Sequence, residues 1–576
     1  IFRRNVEGSP RSNQLGHTNI RMIGGLRGAI AENWNYDFYW MRAENNSQDS
    51  YVNDLSIERV GNALDIIEDP DTGEWVCRSG DPDCVPWNIF QEGAATQEAI
   101  DYIVGTAVMY GKTKTQVLNL TFSSDWENYG IVIPSATEGV QAAFGIEYRE
   151  ESLMNMPDEL YQFGGLTGQG GETPQVDGQF NVREAFLELL LPIVQDVKGA
   201  QDLSLELGYR YSDYSTSGGV SAYKGQLSYA PSQSWRIRGG YNRAVRAANI
   251  WELFRPQGLG LGGNADICAG DNPTATLEQC MRTGVTAAQY GNVPANPADQ
   301  YNTIFGGNPD LDPETADTIT AGIVWTPQSI AGLSITLDYY NIDITEVIGA
   351  LGADDIIQTC ANTGDPDLCS LIHRDSAGTL WATKDGYTIT TNQNIGNLVS
   401  EGIDLNANYL FGLGNAGYLA MDLMGSYLLQ SRFSNPLVDY DCVGFFGFQC
   451  GQSQAAWRHR FRATWETSFR LNLSLSWRYL GGVEVDDASS NPDIGDPGAM
   501  DNWRINGIDK ISAYNWFDLA ASYTFRNGIK LTLGVNNILD EEPPLAPTFN
   551  DDNNFNMYSN YDPLGRYVFS SIQFNF

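Results

Sequence analysis

Several segments of the chain alternate apolar and polar residues with a period of two. Positions 203–211 set Leu203, Leu205, Leu207, Tyr209 and Tyr211 against Ser204, Glu206, Gly208 and Arg210. Positions 471–479 repeat the pattern, with Leu471, Leu473, Leu475, Trp477 and Tyr479 against Asn472, Ser474, Ser476 and Arg478. The same alternation runs over 333–339, 403–411 and 529–535. A period of two puts successive side chains on opposite faces of a strand, one face apolar and one polar. Each segment is about 9–11 residues, enough for a tilted strand to cross a bilayer, whereas strands of soluble sandwiches average about 5–6. Aromatics close several of them (Tyr211, Phe411, Tyr479, Phe525), as in the interfacial girdles of membrane barrels.

Connection lengths alternate as well. Short turns fall at Pro231–Ser234, Pro327–Gly332, Gly412–Gly417, Ser468–Arg470 and Asn527–Gly528. Between them run long excursions over 243–313, 342–395, 430–455, 481–511 and 538–564. This predicts an all-β fold: a transmembrane antiparallel β-barrel with short periplasmic turns and long extracellular loops. About 16–18 strands are legible, which alone would leave an open channel, while about 22 enclose a lumen that needs a plug.

Composition narrows the reading. The chain has 34 basic and 71 acidic residues, a net charge of −37 that repels phosphate backbones and argues against a nucleic-acid partner. With 42% hydrophobic and 12% aromatic residues it is not a disordered chain. The best apolar run, Leu189–Val194, falls far short of the about 18–20 residues of a spanning helix and contains Pro192. No signal peptide is legible, and a start at Ile1 reads as a processed or truncated product. Eight cysteines form four close pairs, Cys77/Cys84, Cys268/Cys280, Cys360/Cys369 and Cys442/Cys450, all inside long connections. That pattern suits loop-stapling disulfides in an oxidising compartment. Structural zinc would want CxxC or Cys/His clusters, and the only histidines are His17, His373 and His459.

Motifs spread along most of the chain carry a resemblance. Arg243-Ala-Val-Arg-Ala-Ala-Asn-Ile-Trp-Glu-Leu-Phe254 follows R-A-x-R-A-P-x-x-x-E-L-F, with Ala248 in place of the proline. Asn308-Pro-Asp-Leu-Asp-Pro-Glu-Thr315 follows N-P-x-L-x-P-E, Ser400-Glu-Gly-Ile-Asp404 follows S-x-G-x-E/D, and Gly534-Val-Asn-Asn-Ile-Leu-Asp540 follows G-x-x-N-L-F-D. Residues 562–576 are similar to a closing strand, and 209–214 fit the same barrel. Together they resemble the TonB-dependent outer-membrane receptors. On the last strand Val568, Ile572, Phe574 and Phe576 share a face similar to the insertion signal read by the barrel assembly machinery.

The resemblance implies a barrel of about 22 strands around an N-terminal plug that carries the TonB box. Neither plug nor box is legible, and residues 2–11 resemble a mid-barrel loop. Residues 1–576 are therefore expected to be part of the barrel domain, with the plug and first strands ahead of them. The resemblance places the protein in the outer membrane of a Gram-negative bacterium. It implies import of a scarce or bulky small-molecule or oligomeric solute, energised by TonB and its inner-membrane complex. Outer-membrane lipids and the protein's own plug are the remaining partners. The alternative is a passive porin, which shares the barrel and needs no plug. A soluble propeller would show a fixed-period repeat, and none is legible.

No catalytic residues and no cofactor are expected, since the sequence holds no phosphate loop, HExxH or Cys/His couple. Gly258–Gly263 reads as a flexible loop. Asp486, Asp487, Asp493, Asp496, Asp551 and Asp552 are candidate calcium ligands, although the absence of EF-hand spacing favours solvated loops. Trp251, Trp381, Trp503, Phe445 and Phe446 are candidate ligand-stacking residues, with packing inside the loops as the competing role. Arg243, Arg246 and Glu252 are candidates to face the plug. Loops rich in Asp, Asn and aromatics lean towards sugars or other uncharged or cationic solutes.

Overall fold

The computed structural model describes residues 8–545, apart from 92 and 170, and residues 560–574. Phe576, Asp551 and Asp552 lie outside the described residues. An 18-stranded antiparallel sheet dominates. Its long strands are β1 (Ser12–Ala31), β2 (Trp34–Leu55), β3 (Val104–Asp125), β4 (Gln141–Pro157), β5 (Val176–Val197), β6 (Ala200–Tyr214), β7 (Gly218–Ser232), β8 (Trp235–Arg246), β9 (Glu314–Trp325), β10 (Leu333–Gly349), β11 (Gln393–Gly412), β12 (Tyr418–Ser434), β13 (Trp457–Glu466), β14 (Leu471–Leu480), β15 (Tyr514–Thr524), β16 (Lys530–Asn536) and β17 (Tyr567–Gln573). Each pairs with the next in sequence order, so the sheet is one continuous meander. The short Asp439–Asp441 strand adds itself to β12.

The rims are unequal, as the connection lengths predicted. One carries 32–33, 126–140, 198–199, 233–234, 326–332, 413–417, 467–470 and 525–529; the other carries 56–103, 158–175, 215–217, 247–313, 350–392, 435–456, 481–513 and 537–566. Two connections break the rule, 215–217 on the long rim and 126–140 on the short one. The second is pinned to the end of β5: Gln195 Oε1 accepts from the backbone N–H groups of Thr137 and Glu138, both at 2.9 Å.

Register decides which residues share a face. Ile237, Ile323, Leu337 and Leu405 form one cross-strand row, and Ala463, Leu475, Leu519, Val535 and Val568 form another. Most of the large members are exposed, Leu519 at 47% and Val568 at 70%. A continuous apolar band of this kind is a surface for hydrocarbon rather than water. One residue along, the opposite face reads Arg238, Gly322, Asp338, Asp404, Ser426, Arg458.

Several strands exceed the expected length; β2, β3 and β5 have 22 residues each. The long-rim half of β2 includes Glu44-Asn-Asn-Ser-Gln-Asp-Ser50, polar on both faces, so it carries no apolar alternation to detect. Among the described residues β1 pairs only with β2, and β17 only with β16.

Candidate functional site

The long-loop rim holds the largest buried clusters of the chain, which makes it a folded layer. Connections 247–313 and 350–392 merge into one unit. Strands 258–263, 301–305, 387–389 and 372–373 join in a small mixed sheet, and beneath it Tyr301, Ile356, Ile357, Cys360, Ile372 and Leu380 pack together. Gly258–Gly263 is thus a strand and not a flexible loop. Two of its glycines make room for the Phe305 ring, since a Cβ would come within 2.9 Å of the ring at Gly260 and within 2.5 Å of Phe305 Cζ at Gly262.

An ion pair locks the unit. Arg374 Nη1 donates to Asp266 Oδ2 at 2.7 Å and Nη2 to Oδ1 at 2.9 Å, with both side chains almost fully buried (3% and 1% exposed). The remaining guanidinium donors reach the Thr283 and Gly378 carbonyls and the Thr283 hydroxyl, so the buried charge is fully hydrogen-bonded. Nearby, burial pushes the Asp354 carboxyl up from its ordinary value, partly offset by the N–H groups of Asn264 and Ala265 that it accepts.

All four disulfides form with the predicted partners: Cys77–Cys84, Cys268–Cys280, Cys360–Cys369 and Cys442–Cys450. All sit in connections of the long rim. They tie short loops, with sequence separations of 7, 12, 9 and 8 residues.

A second loop unit joins 435–456, 481–513 and Tyr561 around Phe446, Val485, Met500 and Ile511. Its carboxylates hold its own backbone. Asp486 accepts from Gln449 and Cys450 N–H, Asp493 from Asp439 N–H, and Asp496 caps the helix at 497–506. Asp487 accepts from Trp503 Nε1 at 2.5 Å, and burial raises its pKa above the ordinary carboxylate value.

The candidate stacking aromatics serve these units. Phe446 is fully buried, which removes it as a ligand platform. Phe445 packs against the Tyr440, Cys442 and Cys450 cluster, and Trp503 packs against the Phe446 cluster. Trp381 Nε1 is bonded to the Pro294 carbonyl at 3.0 Å, and the Trp251 face is covered by the Arg255 guanidinium at 5.3 Å. Loops of this length need cores of their own, and their aromatics supply them.

Of the three candidates to face a plug, Arg243 is corrected. It lies five residues from Arg238 with no break in register, so it points to the opposite, apolar face. There it pairs with Asp317 at 2.6 Å and lies over Tyr223. Arg246 and Glu252 pair with each other at 3.0 Å, and Arg246 also reaches Glu314 at 2.6 Å. Glu252 completes a capping box with Asn249 on the helix at 250–254, whose carbonyl in turn accepts from Asn308 N–H. The 243–254 and 308–315 motifs are therefore two sides of one junction, with Ala248 buried at its centre beside Leu253 and Leu311.

The polar face of the sheet is a charged wall. Arg238 and Asp338 form a two-pronged pair across the strand between them, Nε–Oδ1 2.9 Å and Nη2–Oδ2 2.6 Å. The residue they span is Gly322, and a Cβ there would lie 1.9 Å from Asp338 Oδ1. Lys224 does the same over Gly208, reaching Glu206 at 2.7 Å and Glu188 at 3.5 Å. These crossings were not read from the sequence.

Residues 7–538 match the family of TonB-dependent receptor-like β-barrels. The chain belongs to that family. Its place is accordingly the outer membrane of a Gram-negative bacterium, the apolar band faces lipid and the charged wall faces the barrel lumen. No curated protein sequence matches it. Among solved structures, the siderophore receptor PirA of Acinetobacter baumannii is similar at 12% identity and a TM-score of 0.52, over 98% of this chain and 71% of that one. A variant of the ferric enterobactin receptor of Pseudomonas aeruginosa is similar at 14% identity and a TM-score of 0.51, over 98% and 80%. Both likenesses concern the fold. Val568 and Ile572 on β17, and Phe574 just after it, are exposed, and Val568 and Ile572 lie on the lipid face.

Proposed function

We propose that the protein imports a small-molecule or oligomeric solute through an energised cycle. The solute is caught at the stapled loop layer, and TonB with its inner-membrane complex drives release by pulling on an N-terminal plug. Family membership over residues 7–538 is the observation that carries this reading. A passive porin has no such support. The physical logic is that a ligand held equally well in two states shifts neither, so tight capture needs a driven change before release. Outer-membrane lipids, the barrel assembly machinery and the plug complete the partners of this account.

The test follows solutes in the medium of cells that express or lack the full-length receptor, by mass spectrometry, with and without a protonophore. A solute depleted only by receptor-bearing, energised cells is expected. Receptor-dependent depletion that the protonophore leaves unchanged would support a porin instead.

A further inference from the structure

From β4 to β8 each cation on the lumen wall meets a carboxylate: Arg149–Glu151, Arg210–Glu184, Lys224–Glu206, Arg236–Asp202 and Arg238–Asp338. On β14, Arg478 is held by Asp518 and Asp562, each at 3.0 Å. Strand β13 departs from this. Arg458, Arg460 and Arg462 occupy alternate positions on the lumen face, all exposed, and none has an ion pair among the described residues. Their cross-strand neighbours explain why. Arg458 stands between Ser426 and Leu480, and Arg460 between Met424 and the already satisfied Arg478. Asp422 lies across from Arg462 without closing to an ion pair. Alternate strand positions are about 6.8 Å apart, so the guanidinium groups form a column running inward from the loop rim.

A second observation points the same way. A cavity of 790 Å³ on this face is lined by Arg458, Arg460, Arg478 and Trp516, with Asp338 and Asp404 also in its wall. Trp516 is 5% exposed and its Nε1 donor has no partner among the described residues. Beside Arg462, the buried Ser476 hydroxyl is likewise without one. Asp338 is held by Arg238, and Arg478 by Asp518 and Asp562, so among the described residues two unpaired guanidinium groups, Arg458 and Arg460, face one unpaired carboxylate, Asp404. Cationic donors exceed anionic acceptors there, and an anion's oxygens match the excess.

We propose that the β13 arginine column binds an anionic solute, through carboxylate, phosphate or sulfonate oxygens on Arg458, Arg460 and Arg462. This rests on the importer reading and sets its substrate class. It runs against the lean of the loop composition, because these unpaired guanidinium groups lie on the lumen wall.

The test uses the full-length receptor with its plug, in detergent, and the fluorescent trisulfonate pyranine as a defined polyanion followed by anisotropy. Wild-type receptor is expected to bind it. The Arg458→Gln/Arg460→Gln/Arg462→Gln variant should bind roughly tenfold more weakly per charge removed, and the triple Lys variant should retain most of the affinity. If the Gln variant does not fold, phenylglyoxal modification of wild-type receptor replaces it, and pyranine should protect the three arginines in peptide maps. No binding by wild type, unchanged affinity in the Gln variant, or no protection overturns the proposal. So does a variant that loses only thermal stability, since the arginines would then serve the plug. Binding in detergent needs no TonB, so a failure of energised uptake leaves this result standing.

Discussion

Replacing Gly322 with alanine is predicted to break an ion pair in which the residue takes no part. A Cβ at that position would lie 1.9 Å from Asp338 Oδ1, 3.0 Å from Asp338 Cγ and 3.1 Å from Arg238 Nε. The carboxylate must swing away, and the two-pronged contact goes with it. The side chains are 52% and 30% exposed, so lumen water screens the pair and its loss costs only about 1 kcal/mol. Overpacking adds about 1–3 kcal/mol. Alanine's smaller backbone entropy in the unfolded chain offsets about 0.5–1 kcal/mol. The net is a destabilisation of roughly 1–3 kcal/mol. The assay is denaturant unfolding in lipid vesicles of wild type, Gly322→Ala, Asp338→Ala and the double variant. With the carboxylate gone, alanine fits, so the double variant should be no less stable than Asp338→Ala alone. An equal cost of Gly322→Ala in both backgrounds would refute the steric argument.

Three further outcomes follow from the loop layer. Opening Cys268–Cys280 by serine substitution should cost the loop unit about 2–3 kcal/mol, read as faster hydrogen exchange over 267–293 with the heat-modifiable mobility of the barrel unchanged. Arg374→Ala strands the buried Asp266 carboxylate, a loss of about 3–5 kcal/mol that limited proteolysis of 247–313 would report. Because burial raises the folded-state pKa of Asp354, the protonated form favours folding. Its contribution is full below the unfolded carboxylate value and declines as pH rises through the raised one. Hydrogen exchange at Asn264 and Ala265 should therefore quicken with pH, after correction for intrinsic rates, by more than it does in Asp354→Asn.

Alternation and connection lengths made most of this architecture legible, because a sheet between lipid and water must sort its residues strictly by face. The cysteine pairs were equally legible, since each closes a short loop. What the pattern hid has physical causes. The upper halves of β2 and its neighbours stand clear of hydrocarbon, so they need no apolar face. Arg374 and Asp266 lie 108 residues apart, and Arg238 and Asp338 lie 100 apart, so only the folded chain brings them together. Phe446 was misleading as a ligand platform, because a stapled loop unit must build a core before it can present a surface. Arg243 was misassigned by motif alone; counting its parity from Arg238 would have placed it on the lipid face. The arginine column needed no structure to be noticed, since Arg458-His-Arg-Phe-Arg462 carries the period-two signal openly.

The central claim is a sheet that spans the outer membrane with the stapled loops outside and the short turns inside. Single cysteines introduced as Asp271→Cys in a long connection and Asn415→Cys in a short one test it directly, both sites being exposed. In intact cells, a membrane-impermeant maleimide should label Asp271→Cys. It should label Asn415→Cys only after the outer membrane is permeabilised. Labelling of Asn415→Cys in intact cells, or protection of Asp271→Cys, would contradict the account.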